Sequence, residues 1–486
     1  MRCACAALLL GAFALQAHVG SPDVFFEGKA GPYPVSIAIR PPDVVPGTAE
    51  VEVRTPVDSI TSIRVVPLPL VGIGSKYPPT SDLAKRSTVD PHLYTSSVWF
   101  MAFGSYQVRV EVNGTQGSGI ISVPIPSVAR QIKQMDTSLG WVLAFLMLLI
   151  VAGAVSIAGA AARESTLLEG ESPDATRQRY ARMVMVSTTL AIIAILALGN
   201  WWWGAEANNY RAHIYRPPAL RADLEKGLLH LRLSETKWAL RAKLNDFLPD
   251  HDHLMHLFIV RMPQMERMWH LHPEFAGSGE FTQALPPMPA GSYKLFADVV
   301  HASGFPETPI ADFTLPVAVE GKPVTGDDAE GSAPPLSAFA PERTIFPLRN
   351  GHRMVRLNAS GPLFAKHMQH LAFEVQDNAG HPVADLEPYM GMAGHAEFLL
   401  ADASVFAHVH PSGTVPMASL ALTAESKSAA SGQQFMHHMQ GASLPAQLAF
   451  PFGFPKAGRY RMFIQIQRAG LPETASFDFN VQDRAR

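Results

Sequence analysis

Two histidine pairs with the same spacing are the residues of this sequence best suited to chemistry. His270-Leu-His272-Pro and His408-Val-His410-Pro each place two imidazoles two residues apart. Residues i and i+2 of a β-strand project from the same face of a sheet, so the two rings of each pair could converge on one ion. The spacing therefore predicts a ligand pair in each of two places.

A third imidazole precedes each pair at the separation of two hairpin strands. His256 stands 14 residues before His270, and His395 stands 13 residues before His408. His301 follows a further predicted strand, and its counterpart in the second place is Arg468. The predicted metal ligands are His256, His270, His272 and His301 in the first set, and His395, His408 and His410 in the second.

Sets of three imidazoles suit Cu²⁺ or Zn²⁺. Thioether sulfur adds affinity for Cu⁺, and Met255, Met390 and Met392 lie near the histidines in sequence. We therefore expect copper as the bound metal, with zinc as the second choice.

A metal-free interpretation stays open beside this one. Each ring of a repeated His-x-His-Pro corner could instead bond a backbone carbonyl, which would make the chain a structural or interaction protein of the cell envelope. The sequence has no nucleophile elbow, phosphate-cradling glycine loop or Walker motif. An oxidase or oxygenase would depend on His18 as a mature N-terminus with His92, so we expect a protein that is not an enzyme.

The histidine motifs belong to an internal repeat. Gly227-Leu-Leu-His-Leu-Arg-Leu matches Gly351-His-Arg-Met-Val-Arg-Leu, and Gly304-Phe-Pro-Glu-Thr matches Gly470-Leu-Pro-Glu-Thr. Three further blocks, among them the two His-x-His-Pro motifs, stand in the same order between them. Strand-length blocks separated by Pro- and Gly-containing turns predict one β-sandwich for each copy.

Two long apolar runs precede the repeat. Each is long enough to cross a bilayer, which takes roughly 20 apolar residues. Arg163, Arg177, Arg179 and Arg182 lie between them, and the positive-inside rule places that loop in the cytoplasm. The lipid bilayer is therefore a predicted partner, and both flanking regions are expected outside the bacterial inner membrane, in the periplasm.

The N-terminal region supports the same export. Residues 1–17 have one Arg and a short apolar run, which is typical of a signal peptide. The only two cysteines, Cys3 and Cys5, lie within it, so the mature chain would have neither disulfides nor thiolate ligands. The alternating and apolar runs after it predict a β-sandwich of immunoglobulin or cupredoxin type.

Charge excludes one class of partner. The chain has 39 Lys and Arg against 42 Asp and Glu, and it has no basic block, so no nucleic-acid partner is expected. Other envelope or metal-handling proteins are the remaining candidates for partners.

Several motifs resemble a group of secreted or membrane-anchored bacterial domains. They include Pro388-Tyr-Met-Gly391, Gly394-His395, His408-Val-His410-Pro and Gly458-Arg-Tyr-Arg-Met-Phe463. The N-terminal Ala30-Gly-Pro-Tyr-Pro-Val35 more loosely resembles YtkA-like domains. The resemblance implies β-sandwiches of cupredoxin or immunoglobulin type that are associated with copper or other heavy-metal handling.

Together these patterns predict a mainly β chain with three extracytoplasmic sandwiches and a two-helix transmembrane hairpin. The predicted segments are a signal peptide at 1–17, an N-terminal sandwich at 18–137, a transmembrane helix at 138–162, a cytoplasmic loop at 163–182, a second helix at 183–203, repeat 1 at 204–320, a linker at 321–345 and repeat 2 at 346–486. The predicted function is metal binding, with copper handling or tolerance as its purpose.

Overall fold

The computed structural model describes residues 22–168, 170–234, 243–337, 342–359, 361–424 and 444–484. The predicted signal peptide, with Cys3 and Cys5, and His18 lie outside the described residues. The chain forms two compact units. One holds residues 129–215 and is helical, and the other holds the β-strands on both sides of it in sequence.

The helical unit contains two long apolar helices, α1 (Thr137–Glu164) and α2 (Ala175–Ala212). Asp136 starts α1 by accepting the Ser138 and Leu139 amides, at 2.9 and 3.2 Å. Asp174 starts α2 in the same way. Both helices are long and apolar enough to cross a membrane. Each extends beyond its predicted bounds, so the connecting loop is shorter than the predicted 163–182.

Nine strands form the N-terminal β region, which we define as residues 22–128. They make a five-stranded sheet in the order β1-β2-β3-β7-β6 and a four-stranded sheet in the order β5-β4-β8-β9. Buried side chains from both sheets share one apolar cluster. The strands are β1 (Val24–Ala30), β2 (Tyr33–Arg40), β3 (Gly47–Arg54), β4 (Ile60–Pro69), β5 (Asp82–Leu83), β6 (Lys85–Arg86), β7 (Leu93–Phe100), β8 (Gly104–Gly114) and β9 (Gly117–Ser127).

Repeat 1 contributes a four-stranded sheet, β10-β11-β16-β15, and a seven-stranded sheet built on the path β12-β17-β13-β14-β20. The bounds are β10 (Ala219–Glu225), β11 (Leu228–Ser234), β12 (Phe247–Leu248), β13 (His256–Met262), β14 (Arg267–Leu271), β15 (Glu274–Gly277), β16 (Glu280–Ala284), β17 (Gly291–His301), β18 (Pro306–Glu307), β19 (Ile310–Leu315) and β20 (Ala329–Ser332). Strand β20 lies within the segment 321–345 that we predicted as a linker, and it pairs with β14.

Repeat 2 contributes a four-stranded sheet, β21-β22-β24-β28, and a six-stranded sheet on the path β23-β30-β29-β26-β27. The bounds are β21 (Ile345–Pro347), β22 (Arg353–Arg356), β23 (Leu363–Phe364), β24 (Met368–Gln376), β25 (Leu386–Glu387), β26 (His395–Leu400), β27 (Phe406–Val409), a short helix α3 (Met417–Ala424), β28 (Gln447–Gly453), β29 (Gly458–Arg468) and β30 (Leu471–Gln482).

The larger sheets of the two repeats pack against each other. Successive side chains of a strand point to opposite faces of its sheet. Leu257 and Ile259 of β13 therefore enter the core of repeat 1, while Phe258 and Val260 join a second cluster. That second cluster also contains Phe406, Phe463 and Leu399 from repeat 2. The prediction of a mainly β chain with two apolar helices is thus confirmed, and the sandwich type stays a prediction.

Candidate metal centre

Three histidines of repeat 1 lie together on the face that meets repeat 2. His256 opens β13, His270 lies in β14, and the register pairs Phe258 with His270, so the hairpin sets both rings on the same face. His272 follows two residues after His270. One nitrogen from each of His256, His270 and His272 lies within 4.8 Å of the other two. We call this group cluster A.

Hydrogen bonds on the far side of two rings fix which nitrogen carries a proton. Nε2 of His256 lies 3.0 Å from the Asp250 carbonyl oxygen, and Nδ1 of His270 lies 2.8 Å from Oε1 of Gln465. Both oxygens can only accept, so with the Gln465 amide in this orientation each of these nitrogens donates. The remaining nitrogens, Nδ1 of His256 and Nε2 of His270, then present bare lone pairs to each other at 3.0 Å.

The third ring of cluster A follows the same pattern. Nδ1 of His272 donates to Oδ1 of Asp328 at 2.9 Å, and the same oxygen accepts the His272 amide at 3.0 Å. Nε2 of His272 is buried and has no hydrogen-bond partner. Each ring of cluster A is therefore held from behind by an acceptor and offers one bare nitrogen, which is the arrangement that orients imidazoles for a metal ion.

A second group joins the two repeats. His251 of repeat 1 and His395 and His410 of repeat 2 bring nitrogens within 4.8 Å of one another, and we call them cluster B. His251 and His410 face each other through their Nε2 atoms at 3.3 Å. Nδ1 of His410 donates to the Val415 carbonyl at 3.2 Å. Nε2 of His395 is buried without a partner.

His408 stands behind cluster B. Its Nδ1 lies 3.3 Å from Oδ2 of Asp298 on repeat 1, and that carboxylate favours a proton on Nδ1. Its Nε2 then accepts from Nδ1 of His395 at 3.0 Å, which leaves Nε2 of His395 bare. His408, which we predicted as a ligand beside His395 and His410, thus lies outside cluster B, and its two nitrogens face Asp298 and His395.

The two repeats bond each other across their interface in a reciprocal way. By position in the hairpin, His270 of repeat 1 corresponds to His408 of repeat 2, since they pair with Phe258 and Glu397 respectively. His270 bonds Gln465 of repeat 2, and His408 lies 3.3 Å from the carboxylate of Asp298 of repeat 1. The two clusters nevertheless differ in composition. All three residues of cluster A belong to repeat 1, whereas cluster B combines His251 of repeat 1 with two histidines of repeat 2.

Burial keeps these imidazoles neutral. Desolvation, reinforced by neighbouring histidines, holds the pKa of His256, His270, His395 and His410 well below the usual histidine value. Burial also lowers the pKa of His251. Neutral imidazole is the form that binds metals, so burial favours the protonation state that coordination would need.

His301 does not join cluster A. Its Nδ1 lies 2.7 Å from Asp246 and its Nε2 lies 2.9 Å from Glu307, so both nitrogens face carboxylates. Burial opposes the charge, but the hydrogen bonds to Glu307 and Asp246 raise the pKa of His301 overall. Arg468 of repeat 2 lies between Asp385 and Glu473 in the same manner. The position thus faces carboxylates in both repeats, and His301, which we predicted as a fourth ligand, lies outside cluster A.

A sequence motif contains His251 but is not part of the internal repeat, so the repeat did not indicate this residue. His251-Asp-His253 is a third His-x-His motif, five residues before His256. His253 lies outside both clusters but stacks on His272 at 3.8 Å and bonds Asp327 at 3.1 Å. Among the methionines, Met255 lies in the core of repeat 1 and faces away from the clusters.

One buried carboxyl near the clusters lacks partners. Glu397 is fully buried, and neither of its oxygens has a hydrogen-bond partner. Burial, with the charge of Asp298, raises the pKa of Glu397 well above its usual value. The side chain occupies the position that Phe258 takes in repeat 1.

Comparisons with known proteins give one family match. A family model described as a domain of unknown function (DUF8832) matches residues 349–483, which contain His395, His408 and His410 but not cluster A. No curated protein matches the sequence.

Several solved structures align with most of this chain, but with low sequence identity and low TM-scores. Dimeric latent PorU from Porphyromonas gingivalis is 9% identical over 95% of this chain and 34% of its own, with a TM-score of 0.14. Native E. coli alpha-2-macroglobulin is 10% identical over 98% and 23%, with a TM-score of 0.19. Invasin, a bacterial integrin-binding protein, is 8% identical over 92% and 60%, with a TM-score of 0.14. This chain thus spans about a third of the length of PorU, and such TM-scores carry no argument about fold or function.

Proposed function

We propose that this chain is a membrane-anchored, extracytoplasmic protein that binds two transition-metal ions, one at cluster A and one at cluster B. Copper is the preferred metal, since a nitrogen site of given geometry generally binds Cu²⁺ more tightly than Zn²⁺. The protein would hold or deliver the metal rather than transform a substrate.

One observation carries the proposal, namely the bare nitrogens of His256 and His270 that face each other at 3.0 Å. Two lone pairs at that distance repel each other unless a cation lies between them. Burial and the neighbouring imidazoles lower the pKa of both rings, which disfavours a proton as that cation. Bonds of about 2 Å in a tetrahedral site separate two ligand nitrogens by about 3.3 Å, which is close to this spacing.

Cluster B supports the same chemistry with different ligands. The Nε2 atoms of His251 and His410 are 3.3 Å apart. His395 is the third ligand, and Asp298 and His408 together orient it. Carboxylate–histidine support of this kind orients metal ligands and raises their basicity.

The membrane position rests on the two apolar helices. The strands before α1 and after α2 belong to one compact unit, so they lie on one side of any membrane that the two helices cross. The arginines between the helices favour a cytoplasmic loop. We therefore propose that the metal-binding unit lies in the periplasm and is anchored in the bacterial inner membrane.

Metal titration of the full chain in detergent tests the proposal. We expect two Cu²⁺ or two Zn²⁺ per chain, one after His272→Ala or His410→Ala, and none after both substitutions. His381→Ala serves as a control, because His381 is exposed, lies 3.6 Å from Asp377 and belongs to neither cluster. A wild-type chain that retains neither metal, or a double variant that still binds two ions, would refute the function.

A second candidate is a metal-free interaction protein of the envelope, and the Gln465 amide favours it. Nε2 of Gln465 is buried without a partner. If the amide were reversed, it would donate to Nδ1 of His270, and Nε2 of His270 could then donate to His256. The rings would satisfy one another without an ion.

Gln465→Glu separates the two candidates. A carboxylate accepts but does not donate, so it preserves the orientation that metal binding needs and breaks the metal-free chain. We expect the variant to keep zinc at cluster A with at least wild-type affinity. If the variant instead loses thermal stability and the wild type binds no metal, the metal-free function is supported.

A further inference from the structure

The N-terminal β region and repeat 2 exchange buried side chains. Phe25 of β1 packs in the core of repeat 2, where its ring lies 6.2 Å from that of Phe452. Val415 of repeat 2 packs in the core of the N-terminal β region and is 2% exposed. Each core is therefore completed by a residue from the other part of the chain.

Backbone hydrogen bonds tie the same two segments together. The Glu27 amide donates to the Ser412 carbonyl at 2.8 Å, and the Thr414 amide donates to the Phe25 carbonyl at 2.9 Å. Between these bonds, a Cβ on Gly413 would come within 2.0 Å of the Phe25 carbonyl oxygen. The contact is so close that it requires glycine. Strand β1 thus holds the segment 412–415 as if it were an additional short strand.

The segment held by β1 also sets the orientation of a cluster B ligand. His410 and Gly413 exchange amide-to-carbonyl bonds, each of 2.8 Å. The Val415 carbonyl accepts from Nδ1 of His410 and so aims Nε2 at His251. Val415 therefore anchors its side chain in the N-terminal core while its carbonyl positions a metal ligand.

We propose that the N-terminal β region and the ion at cluster B are linked through residues 410–415. An ion that fixes His410 should stabilise the hydrogen bonds between β1 and this segment. Conversely, weakening those hydrogen bonds should lower the affinity of cluster B for the ion. Linkage of this kind is reciprocal, so each effect must accompany the other. The inference rests on the proposed function and adds that the N-terminal β region responds to metal occupancy.

Hydrogen exchange of the wild-type full chain tests the first direction without any substitution in the linked segment. With Zn²⁺ as the probe, we expect exchange of the Glu27 and Thr414 amides to slow at least about tenfold. His410→Ala should abolish this slowing, while His272→Ala, which removes only a cluster A ligand, should leave it in place. If calorimetry shows zinc at cluster B and the two amides exchange at the same rate as in the zinc-free protein, the linkage is refuted.

The second direction uses a matched pair of valine substitutions. Val415→Ala should lower zinc affinity at cluster B by about tenfold, in the range of losses for residues that orient metal ligands, and should leave cluster A unchanged. Val375→Ala is the control, because Val375 is equally buried but lies in the core of repeat 2 itself. Unchanged affinity in Val415→Ala, or equal losses in the two variants, overturns the linkage. A wild type that binds no zinc at cluster B overturns the proposed function and the linkage together, which distinguishes the two failures.

Discussion

Asp328 is the residue whose substitution tests cluster A most directly. Its Oδ1 accepts two hydrogen bonds from His272, one from the ring and one from the backbone amide. The ring is thereby fixed with Nε2 turned toward His256 and His270. Asp328 does not itself belong to cluster A, so its substitution changes the orientation of a ligand and leaves the number of ligands the same.

The size of the effect follows from what each substitution removes. Loss of a residue that orients a metal ligand costs about 10- to 100-fold in affinity, or about 1.4 to 2.7 kcal/mol. Asn keeps an oxygen that can accept from His272 but removes the negative charge, so Asp328→Asn should lie near the tenfold end. Ala removes the acceptor altogether, so Asp328→Ala should approach the hundredfold end.

The assay is competition for Zn²⁺ with a chromophoric chelator, carried out in a His410→Ala background so that only cluster A reports. Asp327→Asn is the matched control, because Asp327 is adjacent in sequence but bonds His253, which lies outside the cluster. We expect that control to lose less affinity than Asp328→Asn, since Asp327 reaches His272 only through the stacked ring of His253 and does not bond it. Equal losses at the two positions, or no loss in Asp328→Ala, would show that His272 is not oriented for a metal by Asp328.

Two further predictions concern buried titratable groups. The hydrogen bonds to Glu307 and Asp246 raise the pKa of His301 despite its burial, so its ion pairs stabilise the fold below about pH 6.5 and lose effect as pH rises through the raised pKa. His301→Gln should therefore lower the unfolding temperature more at pH 6 than at pH 9. His301→Arg, which copies Arg468, should have a higher unfolding temperature than the wild type at pH 9. A loss in His301→Gln that does not depend on pH would contradict the ion pairs. Burial raises the pKa of Glu397, so the folded state keeps a proton that the unfolded state releases above about pH 4.3 and stability falls as pH rises. Glu397→Gln should therefore raise the unfolding temperature at pH 8 and leave it unchanged at pH 4, and an equal shift at both pH values would mean that the carboxyl is not held neutral.

The convergence of cluster A could be predicted because it depends on local rules. His256, His270 and His272 lie within one hairpin, and the two-residue alternation of strands together with the hairpin separation places them on one face. The apolar helices and the strand-rich remainder follow from equally local patterns of side chains.

Cluster B could not be predicted in the same way, because its composition depends on how the repeats pack. His251 lies in a turn with a positive φ of 49°, and the corresponding turn of repeat 2 holds Met390 at 48°. A histidine present in only one copy is invisible to a comparison of repeats. The different positions of His270 and His408 likewise depend on Gln465 and Asp298, which each ring meets across the interface and not in its own repeat.

His301 illustrates a third limit of sequence patterns. The exchange of His301 for Arg468 indicated that the copies differ, and we interpreted it as the loss of a ligand. Carboxylates lie on both sides of each residue, so both positions favour a positively charged side chain. A histidine pattern alone does not distinguish a ring that could bind a metal ion from a ring that pairs with carboxylates.

The exchange of Phe25 and Val415 has a consequence for the order in which the chain folds during synthesis. N-terminal parts of a protein generally fold first as the ribosome releases them. Here the N-terminal core lacks Val415 until both apolar helices, all of repeat 1 and the start of repeat 2 have been made. The first region to emerge is therefore among the last to be completed, and a nascent chain that stops after α2 would leave the Phe25 side chain without the core that receives it.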